Sequence, residues 1–148
     1  MEHEESVEID TLEEFTTHCL DRSLEGLETL RRDCIRCGNS LADMKIQDYT
    51  QLASLCEGLR DFYVFEGDVR SMFMLDTEKL RDRRGTLKET EDQFEDSLNR
   101  MPNMMGEESL PDLTTHLKVT LPGIIDRFQD LIPALRNFIE DEYINYQQ

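Results

Sequence analysis

LPDLTTHLKVTLPGIIDRFQDLIPALRNFI, residues 110–139, repeats itself every eleven residues. Pro111, Pro122 and Pro133 each follow a branched aliphatic residue, namely Leu110, Leu121 and Ile132. Leu113, Ile124 and Leu135 keep the same step, and so do Leu117, Phe128 and Ile139. Eleven residues are close to three helical turns, so each column stays on one side of a helix. The prolines lie on an outer flank, away from the core line through Leu113, Leu117, Leu121, Ile124, Phe128 and Leu135. A proline on that flank removes an internal hydrogen bond and bends the helix over its core. Ser109 caps this helix, with Pro111 in its first turn. Gly123 follows Pro122, which predicts a break there, and Pro133 predicts a second bend.

Three further helices precede this one. Asp10 with Glu13 reads as a capping box opening a helix over 11–37. Its stripe is Leu12, Phe15, Cys19, Leu20, Leu24, Leu27, Leu30 and Cys34, with Gly38 and Asn39 as the stop. Asp48 caps a second helix over 49–74, with a stripe Leu52, Leu55, Leu59, Phe62, Glu66, Val69 and Phe73. The β-prone run from Phe62 to Phe65 is in phase with this stripe and stays in the helix. Asp76 or Thr77 opens a third helix that ends near Arg100, before Pro102. Its stripe of Leu80, Arg84, Leu87, Glu91, Phe94, Leu98 and Met101 is the least apolar of the four. A Met-rich loop fills 101–109. Short connections favour antiparallel neighbours. The fold expected is all-α: an antiparallel up-down-up-down four-helix bundle over 11–148, behind an acidic flexible tail at 1–10.

The chain has 148 residues and a net charge of −17. That length buries enough surface for a core without disulfide or metal. The negative field repels nucleic-acid phosphate and anionic lipid, so neither is an expected partner, and a basic protein is. No apolar run approaches the roughly 20 residues of a membrane span. The acidic N-terminal stretch lacks a signal-peptide plan, so the four cysteines read as reduced thiols in a cytoplasmic protein.

The candidates for chemistry are few. Cys34 and Cys37 form C-x-x-C at the C-terminal end of the expected first helix, where the dipole disfavours thiolates. Cys56 folds back toward Cys34, but a fourth zinc ligand is missing. No Glu-x-x-His pair of the kind used by di-iron bundles occurs, and His116 reads as a surface or capping residue. No phosphate loop or serine-nucleophile motif is present. No cofactor, metal or catalytic residue is therefore expected.

Glu66 and Arg84 interrupt their stripes at equal distances from the turn between helices two and three. They are expected to face one another as a pair that fixes register. The basic island Lys79, Arg81, Arg83, Arg84 and Lys88 is expected to pair with neighbouring acidic surface.

Residues 110–125 resemble an uncharacterised group of small bacterial helical proteins that carry D-L-x-x-x-L-x-x-x-L-P. Asp112, Leu113, Leu117, Leu121 and Pro122 match that pattern. The resemblance implies a bacterial helical protein and brings no activity with it. In size, acidity and helical plan the chain is also similar to flagellar and type III secretion chaperones.

The function expected is non-enzymatic binding of another protein. The contact is expected around the third helix and the Met-rich loop, at Leu87, Phe94, Met104, Met105 and Arg83. An alternative is a small-molecule or metal-binding bundle with a polar pocket near Glu66, Arg84 and Glu91. A homodimer through the third helix is a further reading.

Overall fold

The computed structural model describes residues 11–42, 48–105 and 110–145. The fold is all-α with one very small β-hairpin. Helix α1 spans Leu12–Ala42 and α2 spans Asp48–Met72. Strands β1 (Arg81–Asp82) and β2 (Gly85–Thr86) pair antiparallel, and α3 spans Leu87–Met104. The last helical stretch joins α4 (Leu110–Thr115), a π turn (His116–Thr120), α5 (Leu121–Ile139) and a second π segment (Glu140–Asn145). The expected tail, the Asp10 and Ser109 caps and Gly106 fall outside the described residues.

Helix α1 packs most extensively on α5 and also lies against α2, while α3 lies against α5. Asp21 pairs with Arg136, Glu28 with Gln129, and Arg31 with Asp126. Later residues of α1 thus meet earlier residues of α5. Phe62, Phe94 and Phe128 pack edge to face at the centre, with centroids 5.0–6.0 Å apart. Such contacts add to the free energy of burying three large side chains. Around them lie Leu20, Leu27, Leu59, Leu117, Leu121 and Leu131, all fully buried.

Three expectations about helix ends are corrected. Gly38 does not end α1, which runs on to Ala42. It is buried, and a Cβ there would lie 2.5 Å from Lys118 Cγ and 3.3 Å from Leu117 Cβ. Glycine is needed there for the close approach of two helices. At the other end of α1, Thr11 Oγ1 accepts the Glu14 N–H at 3.1 Å.

The third helix begins at Leu87 instead of 76 or 77. Helix α2 ends in a Schellman turn: the Leu75 N–H donates to Arg70 O at 3.0 Å and the Met74 N–H to Ser71 O at 3.3 Å. Met74 takes the left-handed conformation, φ 48°, that glycine usually fills. The hairpin follows, and Gly85 turns at φ 150°. Thr86 and Glu89 then form a reciprocal capping box, with distances of 3.1 and 2.8 Å. The Leu87 and Lys88 N–H groups donate to Leu80 O and Thr77 O. The first turn of α3 is thereby satisfied before it starts.

The expected break at Pro122–Gly123 is replaced by a π turn just before it. The Leu121 N–H donates to His116 O, five residues back. Helical backbone continues through Pro122 and Pro133. A wider turn lifts the carbonyls that a proline ring would strike. Pro111 and Pro133 are exposed as expected, but Pro122 is buried. The Met-rich stretch is also more ordered than expected, since Met101, Pro102, Asn103 and Met104 close α3 as helix.

Candidate functional site

Helix α3 has two working faces because its residues alternate at helical spacing. Glu95, Leu98, Asn99 and Pro102 face α2 across a groove, whereas Gln93, Asp96, Ser97 and Arg100 line a cleft beside α5. Between these faces lie the buried residues Leu87, Glu91, Phe94 and Met101.

The groove has a volume of about 610 Å³, with walls that include Cys56, Tyr63, Val64, Leu98 and Met105. An adjoining depression of about 500 Å³ shares Cys56, Arg60 and Met105 and extends to Leu52 and Ala53. Val64 is 52% exposed and Met105 41%. Tyr63 OH donates to Glu95 Oε1 at 3.1 Å and packs its ring on Phe94, bridging the floor of the groove. Helices α2 and α3 meet through such long side chains, and this spacing leaves the groove open.

This arrangement corrects part of the expected contact surface. Leu87 and Phe94 are core residues, 1% and 2% exposed, and cannot touch a partner in this fold. Met104 is half-buried against the core, while Met105 is exposed in the groove wall. Arg83 is exposed in the hairpin turn, away from the residues that line the groove. The exposed apolar side chains beside the groove therefore come from α2 and the end of α3. Val64 escaped notice because it lies off the α2 core stripe, and that position is what exposes it.

Glu66 and Arg84 do not pair. Arg84 projects outward and meets Asp130 of α5 at 3.3 Å. Glu66 is buried against Glu91, which in turn meets Arg70 at 3.2 Å. Burial first, and the neighbouring Glu91 carboxyl second, hold the Glu66 carboxyl well above its usual range, while Arg70 works the other way. Oε2 of each carboxyl meets no donor. The ten-residue shift in where α3 starts explains the change of partner, because Glu91 now faces Glu66 and Arg84 is carried out on the hairpin.

The cleft on the other face has a volume of about 510 Å³. Arg127 forms one wall and grips Asp82 through both guanidinium nitrogens, at 2.8 and 2.7 Å. That grip holds Asp82 far below the ordinary carboxylate range and fastens the hairpin to α5. Behind the cleft, Ser97 Oγ meets His116 Nε2 at 2.5 Å, both side chains buried. Burial first, then Arg100, lowers the His116 pKa, so the imidazole is neutral near pH 7. His116 is thus a core residue and not the surface or capping residue expected from the sequence.

Cys34 and Cys37 lie inside α1 and are buried. Burial, with Cys37, Asp33 and Cys56 adding to it, pushes the Cys34 thiol up to about 12. A thiol so protonated is a poor nucleophile. Among the described residues, no group of three or more His, Cys, Asp or Glu side chains could hold a metal ion, and no helix is long and apolar enough to cross a membrane. Of the basic island, Lys79 meets Asp76, Lys88 meets Asp92 and Arg84 meets Asp130. No protein-family model matches this chain, and no curated protein or solved structure matches it.

Proposed function

We propose that this chain is a non-catalytic protein-binding module whose receptor surface is the α2–α3 groove. The observation that carries the reading is the continuous apolar trough with Tyr63, Val64 and Met105 on its surface. Single exposed apolar residues are ordinary, but several joined along one groove mark an interaction site. A trough bounded by two helices suits an amphipathic helix that inserts apolar anchors one turn apart. Glu57 lines the depression and Glu95 the groove, with Arg60 common to both, on a chain of net charge −17. The partner helix is accordingly basic on its outer face. An antiparallel up-down-up-down order of α1, α2, α3 and the C-terminal helix, bent around the core at its prolines, belongs to the same proposal. It is supported by the descending order of the α1–α5 pairings and by the facing of Phe62 with Phe94 and Arg70 with Glu91.

The test compares Val64→Asp and Met105→Asp with Met72→Asp, an exposed control outside the groove. Proteins captured by the parent and the control should be lost from both groove variants, with all four proteins equally folded by circular dichroism. Retention of the same partners by the groove variants would discard the groove.

A further inference from the structure

The core is enclosed by the helix edges α1–α2, α1–α5, α3–α5 and α2–α3. Backbones approach closely along the first three, whereas α2 and α3 are spanned by side chains. The rungs across this edge are Arg70–Glu91 at 3.2 Å and Tyr63–Glu95 at 3.1 Å, with the Phe62 and Phe94 rings behind them. Glu66 lies between these rungs on α2, and both it and Glu91 are more than nine-tenths buried. Oε2 of each lacks a donor, and Arg70 is itself partly in water. Two buried carboxyls beside one half-solvated guanidinium are stable only while one acid keeps its proton.

The edge is tied at one end. Helix α2 stops at the left-handed Met74 turn, and the hairpin that follows is clasped to α5 by Arg127 and Asp82. Arg70–Glu91 is the rung nearest that connection, Glu66 comes next, then Tyr63–Glu95. The groove walls at Cys56, Leu98 and Met105 lie farthest out. A small parting at the acids is therefore magnified along the groove. The ion pairs Asp21–Arg136 and Arg31–Asp126 join α1 to α5 and involve neither α2 nor α3.

We propose that the α2–α3 edge is a pH-operated latch: it is shut while the Glu66–Glu91 pair holds one proton, and when both acids ionise α3 comes away from α2 while α1 stays packed on α5. Among the described residues, Glu91 of α3 and Arg70 of α2 are the charged groups that act on Glu66, with Tyr63 one turn away, and α1 and α5 contribute none. Any effect on a bound partner rests on the groove being the binding surface proposed above, and the latch itself does not. Burial first, then Glu91, raises the Glu66 pKa in the shut form, and water restores the ordinary 4.5 in the open form. The open form thus holds fewer protons. Opening becomes easier as pH climbs from 4.5 toward the shut-form value, by up to about tenfold per pH unit. Helix α3 has 18 residues, and a helix of that length without its neighbour is marginal in water, so its amides lose protection when the edge opens.

The experiment follows amide hydrogen exchange of the full chain by NMR from about pH 5.5 to about pH 8.5, with intrinsic rates divided out, in buffer and in low urea. Amides of α3 from Glu91 to Arg100 should exchange through an opening less costly, and less urea-dependent, than the one that exposes α1 and α5. Their protection should fall by up to about tenfold per pH unit in the parent. The same fall should appear in Asp68→Asn, which removes an exposed acid of α2. Glu66→Gln should flatten the dependence, and Glu91→Gln should narrow its pH range, so whichever variant folds decides. Equal protection and urea dependence in α3, α1 and α5 would overturn the latch, since the edge would then open only with the whole chain. A pH slope in the variants as steep as the parent's would overturn it too. No partner is present in this measurement, so its outcome is independent of what the groove binds.

Discussion

Glu66 of α2 and Glu91 of α3 bring two buried carboxyls together at a helix–helix seam, with Arg70 3.2 Å from Glu91 as their cation. Glu66 has a raised pKa, so the folded chain keeps a proton that the unfolded chain releases. Its stabilising effect is complete below the ordinary value of 4.5 and is lost as pH climbs from there toward the folded value. One such proton gives a slope of at most about 1.4 kcal/mol per pH unit. Glu66→Gln should keep the shape of the side chain and remove that slope. Urea midpoints from about pH 5 to about pH 8.5 should fall in the parent and stay flatter in the variant. Parallel curves would show that Glu66 does not carry this proton.

Ser97 and His116 provide the opposite dependence. The folded pKa of His116 is lowered, so its stabilising effect is present above the ordinary value of 6.5 and is lost as pH falls below it. His116→Gln should reduce the acid-side loss. Ser97→Ala leaves the imidazole nitrogen without its partner in the core and should cost about 1–3 kcal/mol in chemical unfolding.

Gly38 and Gly26 lie on the same helix and should respond with opposite signs to alanine. At Gly38 the new methyl meets Lys118 and Leu117. The lysine stem can swing aside more readily than the buried leucine, so Gly38→Ala should cost about 1–3 kcal/mol. At Gly26 nothing lies within 4 Å. Gly26→Ala should stabilise by about 0.5–1 kcal/mol, by restricting the unfolded chain. Guanidinium unfolding of the two variants and the parent settles both.

Met74 is 87% exposed and holds a left-handed turn that costs a side chain with Cβ. Met74→Gly should raise stability by about 0.5–1 kcal/mol, measured as an upward shift in Tm with no change in helical signal. An unchanged or lower Tm would mean that glycine's greater freedom in the unfolded chain outweighs the strain it relieves.

The apolar stripe of α2, that of α1 from Leu20 onward and the eleven-residue columns were legible in the sequence because burial imposes a period on them, whereas Leu12 and Phe15, expected in the α1 stripe, are exposed and Thr16 and Thr17 are buried in that turn. The α2–α3 connection was not. Its signals were present, since Gly85 precedes Thr86 and Glu89 completes a capping box. They were hidden because Leu80, Leu87 and Phe94 also fit one unbroken heptad, and because methionine stands where glycine usually ends a helix. From that boundary followed the wrong partner for Glu66. Placing Leu87 and Phe94 at the contact failed for a related reason: a thin stripe was taken as one left open, whereas Phe62 and Phe128 close over Phe94. Arg127–Asp82 and Ser97–His116 join residues far apart in the chain, and spacing along a sequence carries no trace of such contacts.

The π turn at His116–Thr120 amounts to one extra residue stored inside a helix. Helical length and helical phase are uncoupled at that point. Elsewhere in the bundle, losing one residue would rotate everything beyond it by about 100° and turn buried columns toward water. Here a deletion can be absorbed by narrowing the turn to ordinary α geometry. Lys118, Val119 and Thr120 are exposed, so the loss removes little packing. The helix thus has a place of tolerance for changes in chain length at this turn, just before the buried Pro122.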